Sequence, residues 1–392
     1  MKIAFFTYPI LECGGGLAKY FIEIPSELKK CYPDLNISVI SLDEKMTEGL
    51  RYLLSFYYFR KISRSNLYRE ESNTIVNKLG KVSYIKCKSF KELKKELLKY
   101  DIIYSKNEIL EALIIKFLIG YKNLPPVIFG CHTPIFYPIT KSIQSKLHNI
   151  LYGGVIYRFL ANGVRKFHVI NSFTENKFKK MFPQKKIVKI YNPFDFDNFV
   201  KKSKNYRYKF NFDKTKFNIM WSGRLYEPKG IDDLVKIVDE INKTEHKNEI
   251  IWNIVGDGNK EEKSKILNLK NKWDNLNYFG YVENNYIASL YKENNLFIST
   301  SKWESFPYNL LEAQTFGLPI VAYDISGCND IIENDKNGFL VNSIEEFKKK
   351  TLFFVNGGKL KIDIGTFIRS KFNRNGIYNS LINMFMNHAK KD

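Results

Sequence analysis

Short apolar runs of strand length recur along this chain, separated by stretches of helical length, and this alternation constrains the fold more than any other feature. In the first half the runs fall at 2–8, 36–42, 82–87, 101–106, 127–132, 166–172 and 186–192. Strands that pair in parallel need long crossovers, because the chain has to travel back before it can pair again in the same direction. The predicted class is therefore α/β, with doubly wound, mainly parallel sheets. A polar, basic stretch at 198–216 reads as a linker, after which runs at 217–223, 251–258, 295–301 and 320–324 restart the pattern. With 392 residues the chain exceeds one ordinary core, so two Rossmann-like domains are predicted, 1–198 and 199–375. An amphipathic segment at 376–392 follows, with Ile377, Leu381, Ile382, Phe385 and Met386 on one side.

The strand, helix and charge signals converge on Trp303-Glu304-Ser305-Phe306-Pro307-Tyr308-Asn309-Leu310-Leu311-Glu312, which continues to Gly317-Leu318-Pro319. Pro307 suits the first position of a short helix, Gly317 its left-handed end, and Pro319 blocks continuation. That helix would open at the carboxyl end of a strand, where open α/β sheets bind ligands and unpaired N–H groups attract phosphate. Glu304 lies just before the helix and Glu312 about two turns along it, placed to accept hydrogen bonds from hydroxyl groups.

This stretch resembles the Glu-x7-Glu motif of the retaining, nucleotide-sugar-dependent glycosyltransferases of the GT-B fold (glycosyl transferases group 1, or family 4). The phrase Gly223-Arg224-Leu225, with Lys229-Gly230 after it, is similar to that family's diphosphate-binding loop. A guanidinium fork and an ammonium at a strand end suit such a ligand on their own chemistry. The resemblance implies two Rossmann-like domains facing a central cleft, with the C-terminal helix crossing back to the first. It also implies a hexosyltransferase-type enzyme that needs no metal and no cofactor, moving a sugar from a nucleotide diphosphate sugar to a glycan or lipid-linked acceptor.

The same resemblance distributes roles. Glu304 and His132 would be catalytic. Arg224 and Lys229 would hold the diphosphate, and Glu312 the ribose. Phe306, Pro307, Tyr308 and Asn309 would line the donor sugar, and Gly256, Asp257, Tyr281 and Val282 would border the base. Gly15 and Gly16, in the glycine turn Cys13-Gly14-Gly15-Gly16, would lie near the diphosphate and the acceptor. The turn itself is equally compatible with a plain strand-to-helix connection.

Asp195-Phe196-Asp197 spells a D-x-D metal motif, yet it follows Asn192-Pro193, and Asn, Pro and Asp are ordinary turn residues. The five cysteines show no metal or redox spacing and fit a reducing cytoplasm. No apolar run reaches the roughly 20 residues that span a bilayer, and the opening strand pattern leaves no signal peptide apparent.

Charge is uneven: residues 1–200 hold 32 Lys and Arg against 17 Asp and Glu. Together with the aromatic and basic segment 51–69, this predicts peripheral attachment to an anionic membrane surface on the cytoplasmic side. Two rival classes are weaker. A nicotinamide-dependent oxidoreductase lacks G-x-G-x-x-G with its acidic partner. A nucleic-acid-binding protein lacks a reading module, so no nucleic acid partner is expected.

Overall fold

The structure is a computed structural model that describes residues 1–8, 16–43, 46, 72–107, 109–132 and 143–387. Its chain divides into two compact units, Met1–Tyr191 with Tyr378–Asp392, and Asn192–Ile377. The first holds a sheet of β1 (Lys2–Phe6), β2 (Asn36–Leu42), β3 (Ser83–Cys87), β4 (Ile102–Lys106), β5 (Val127–Cys131), β6 (Lys166–Val169) and β7 (Lys186–Lys189). Each strand matches a predicted run; β2 has the predicted bounds, and the other six are shorter, where hydrogen-bonded pairing stops before apolarity does. The strand order is 3-2-1-4-5-6-7, and every pairing is parallel.

The second unit repeats the plan with β8 (Phe217–Ser222), β9 (Ile250–Val255), β10 (Leu276–Tyr278), β11 (Leu296–Ser299), β12 (Ile320–Tyr323) and β13 (Gly338–Val341), in the order 10-9-8-11-12-13. In both sheets the order reverses beside the first strand, which creates a crevice at the strand carboxyl ends. Central strands are buried on both faces, as parallel sheets require. The edge strand β10 was not foreseen, since three residues are too few to carry a period.

Three local readings are corrected. The supposed linker begins as a helix, Phe196–Asn205, because Phe196 and Phe199 share a buried face and the Asp195 side chain caps it by accepting from the Asn198 N–H at 3.1 Å. That helix packs on Ile287–Lys292, which explains why the second unit starts at Asn192. Pro307 lies one residue before its helix, Tyr308–Thr315, because its ψ of 96° is extended. In the final helix, Arg374–Met386, Met386 is exposed, whereas Ile377, Leu381, Ile382 and Phe385 are buried. Phe385 meets the rings of Phe5 and Tyr104, so the helix end belongs with the first unit. No helix among the described residues is long and apolar enough to cross a membrane.

Candidate active site

The crevice of the second unit lies where β8 and β11 end side by side. Backbone hydrogen bonding places Gly223 and Arg224 after β8, and Thr300 and Ser301 after β11. Thr300 Oγ1 donates to the Lys229 carbonyl at 2.9 Å and accepts from Trp221 Nε1 at 3.1 Å, pinning the two loops together. Gly230 closes this joint at φ 67°, where an added Cβ would fall 1.9 Å from the Thr300 carbonyl oxygen. The loop therefore needs glycine for both its backbone angle and its clearance.

Lys229 Nζ forms an ion pair with Glu304 Oε1, and Ser301 Oγ donates to the same oxygen at 2.8 Å. Burial works against the Lys229 charge, but Glu304 outweighs it and raises the pKa above the usual lysine value. The ammonium is thus charged near neutrality and fixed at the crevice. Arg224 is exposed and lies 5.3 Å from the centre of the Tyr226 ring. Among the described residues no carboxylate pairs with it, so its N–H edge is available to an anion.

The helix Tyr308–Thr315 starts at this crevice. Asn309 Nδ2 donates to the Ser222 carbonyl at 3.0 Å, tying the helix start to β8, while Asn309 Oδ1 is buried with no partner among the described residues. Phe306 is buried against Phe372 and Tyr308, so only its backbone is available to a ligand. The Glu312 carboxylate accepts from the Tyr291 hydroxyl at 2.9 Å, and that hydroxyl lies 2.5 Å from Ser222 Oγ. Burial and then Glu312 hold the Tyr291 pKa well above its usual value. Its single proton goes to Glu312, so Ser222 is the donor in the second contact. Gly317 ends the helix at φ 78°, as expected.

At the ends of β9 and β10, the Gly256 N–H donates to the Gly280 carbonyl at 2.8 Å. Gly256 sits at φ 142°, where a Cβ would lie 1.8 Å from the Gly223 carbonyl oxygen, so the β9 turn can press onto the Arg224 loop. Asp257 accepts from the Gly258 N–H and pairs with Lys263 at 3.1 Å. Tyr281 is exposed and Val282 buried.

In the first unit, His132 follows β5 and belongs to a chain of rings. Tyr104 Oη lies 2.7 Å from His132 Nε2 and 2.7 Å from His168 Nδ1, and His168 Nε2 lies 2.9 Å from the Ile190 carbonyl. Proton counting fixes the donors. A carbonyl only accepts, so His168 carries hydrogen on Nε2. Burial pushes the His168 pKa down to about 4, against the pull of the Ile190 carbonyl, so the ring is neutral near pH 7 and its Nδ1 accepts. The one Tyr104 proton is spent there. His132 Nε2 therefore donates to Tyr104. The Tyr20 ring packs 3.8 Å from that of His132, centre to centre.

Gly16 opens the helix Gly16–Cys31, while Gly15 and the segment 51–69 lie outside the described residues. Asp195 and Asp197 pair with Arg374 and Arg369, at 2.8 Å and 2.7 Å. Tyr291, Tyr104, Tyr20 and His168 were not singled out from the sequence. Tyr104 and His168 sit inside strand runs and Tyr20 and Tyr291 on helices, where a buried polar residue gives no local sign of its partner.

Residues 202–370 match the family described as Glycosyl transferases group 1. An uncharacterized 41.2 kDa protein in the cps region of Klebsiella pneumoniae is 27% identical over 303 residues, covering 74% of this chain and 80% of that protein. The UDP-Gal:alpha-D-GlcNAc-diphosphoundecaprenol alpha-1,3-galactosyltransferase of Escherichia coli is 35% identical over 104 residues, or 25% of this chain and 26% of that enzyme. Among solved structures, HepE of Anabaena in complex with UDP superposes with a TM-score of 0.67 at 16% identity, covering 99% of this chain and 100% of HepE. This likeness and the two parallel sheets identify the GT-B fold.

Proposed function

Starting from a GT-B chain whose residues 202–370 belong to the glycosyl transferases group 1, we propose that this protein transfers a sugar from a UDP-sugar to a lipid-linked glycan, with retention of anomeric configuration and without a metal. The observation that carries this reading is the second unit's crevice, where a fixed Lys229–Glu304 pair, an exposed Arg224 and a helix start lie together at the switch point. Arg224 and Lys229 would meet the charge that grows on the leaving diphosphate, which stabilises the transition state more than the ground state. With that charge met by side chains, no divalent ion is needed there. Glu312, held by Tyr291, would accept from the ribose hydroxyls. Glu304 and the backbone at 306–308 would orient the sugar, with Pro307, Tyr308 and Asn309 lining it.

His132, fixed by Tyr104 at the end of β5, would contact the donor sugar or the acceptor. Gly15 and Gly16 would lie near the diphosphate, and Gly256, Asp257, Tyr281 and Val282 would border the base. UDP is favoured because HepE binds it and the Escherichia coli relative is named for UDP-Gal; that name also motivates the diphosphate-lipid acceptor. Such an acceptor places the enzyme at the cytoplasmic face of a membrane.

The test is thermal unfolding with UDP-, GDP-, ADP- and dTDP-sugars, followed by NMR of the product anomer. A ligand at a hundred times its dissociation constant should stabilise by about 2.7 kcal/mol. No stabilisation by any nucleotide sugar would remove the donor site. A product of inverted configuration would remove the retaining chemistry, and loss of transfer in a chelator would remove metal independence.

A further inference from the structure

The first unit presents an apolar surface that its own core does not use. It is built from the π-helical turn Ile114–Ile119 and the helices Ile143–Gly153 and Val155–Leu160. Phe117 is 62% exposed, Ile150 66% and Val155 79%, with Leu118, Ile156 and Phe159 about half exposed. These side chains are neighbours: the Phe117 and Phe159 rings lie 6.1 Å apart, and Ile150 and Val155 flank the turn between the two helices. A surface helix normally turns a polar face to water. Here Tyr157 and Leu160 fill the buried side of Val155–Leu160, while Val155, Ile156 and Phe159 stand outside.

The charge carried by the patch's own segments has one sign, although the helix Phe90–Leu97 that packs on Ile114–Ile119 also carries Glu92 and Glu96 among four lysines within 91–99. Between Glu111, which is buried, and Glu175 the sequence contains no Asp or Glu. Lys122, Lys146, Arg158 and Arg165 are exposed in that interval, and Lys116 Nζ lies 4.6 Å from the centre of the Phe159 ring. Exposed apolar side chains on segments whose only exposed charges are cations match one partner chemistry, an anionic lipid surface: the rings and aliphatic groups enter the acyl boundary while the cations meet headgroup phosphates. A second copy of the chain would bring equal cations face to face, which opposes self-association.

We propose that the surface formed by 114–122, 146–150 and 155–159 docks this protein onto an anionic bilayer. The surface does not depend on the transferase reading, because it binds lipid with neither donor nor acceptor present. It would bring a lipid-linked acceptor to the same plane as the enzyme.

The experiment is sedimentation of the full chain with phosphatidylglycerol/phosphatidylcholine vesicles and with pure phosphatidylcholine vesicles, at low and high salt. Two variants are compared with wild type, Phe117→Gln with Phe159→Gln, and Lys122→Gln with Arg158→Gln. All four side chains are partly or fully exposed, and unchanged thermal unfolding verifies that both variants fold. Wild type is expected to bind the anionic vesicles and to release in salt. The charge variant should bind roughly 25-fold more weakly, at about fivefold per cation, and the apolar variant at least about tenfold more weakly. Wild-type binding by both variants, equal binding to neutral vesicles, or no binding would overturn the proposal. So would a dimer in sedimentation velocity that only the apolar variant dissociates, since a second copy would then cover the patch.

Discussion

Tyr104→Phe isolates one oxygen atom that His132 and His168 share and that the Tyr20 hydroxyl approaches at 3.4 Å. The ring itself would stay, packed 5.1 Å from Phe5 and 5.7 Å from Phe385, so little volume is lost. Removing the hydroxyl leaves His168 Nδ1 as a buried acceptor with no donor, at a cost of about 1–3 kcal/mol. It also takes the acceptor from His132 Nε2–H, which is partly exposed and can turn to water, at a cost of about 0.5–1 kcal/mol. The expected loss is about 2–4 kcal/mol in urea unfolding. A second readout separates this mechanism from generic damage. In ¹⁵N spectra of protein labelled at its five histidines, wild-type His132 and His168 should both carry hydrogen on Nε2. In the variant His168 should keep that form, held by the Ile190 carbonyl, whereas His132 should become a mixture of tautomers. Gly130→Ala should give the same spectral change with the hydroxyl present, because its Cβ would fall 2.1 Å from Tyr104 Oη. Wild-type His132 carrying its hydrogen on Nδ1, or a stability loss below about 0.5 kcal/mol, would refute the proton count.

Three further outcomes are expected. His168 titrates near pH 6.5 when unfolded and near 4 when folded, so below pH 6.5 the unfolded chain takes up a proton that the folded one refuses. Its contribution of about 3 kcal/mol is complete above pH 6.5, declines as pH falls and is absent below about 4; urea unfolding of wild type against His168→Gln across that window measures it, and parallel pH profiles would contradict it. Arg224→Ala and Lys229→Ala should each weaken UDP binding roughly tenfold to a hundredfold by calorimetry, at about 1.5–3 kcal/mol per charge-assisted contact, while Glu304→Ala should chiefly lower turnover and Glu312→Ala chiefly weaken nucleotide binding. Unchanged behaviour in all four would eliminate the crevice as the donor site. Asp195→Asn with Asp197→Asn should lower the melting temperature only slightly, through loss of the Arg374 and Arg369 pairs, because Asn still caps the helix, and should leave transfer in a chelator unchanged; an obligatory Mg²⁺ or Mn²⁺ requirement lost in that variant would restore the D-x-D motif to a metal role.

The sequence by itself determined what is local. Apolar runs between helical stretches located eleven of the thirteen strands of the described residues and made them parallel, because period and spacing are properties of neighbours along the chain. Turn chemistry located the short helix after β11, with Gly317 closing it, while Arg224, Lys229, Glu304 and Glu312 were grouped through the resemblance of their motifs to a known family. The helix at Phe196–Asn205 was misread because its polar side dominates composition, while the two buried phenylalanines that fix it need a partner surface to matter. Only the tertiary structure decided which side chains meet. Lys229 finds Glu304 because the order 10-9-8-11 sets β8 beside β11, and Glu312 finds Tyr291 because the helices Ile287–Lys292 and Tyr308–Thr315 pack together. Tyr104, His132 and His168 come from the neighbouring strands β4, β5 and β6, with Gly130 leaving room for the hydroxyl between them. A hydrogen bond requires two groups within about 3 Å, and for residues far apart in the chain that distance is set by sheet order, which packing of the whole core selects and no local pattern encodes.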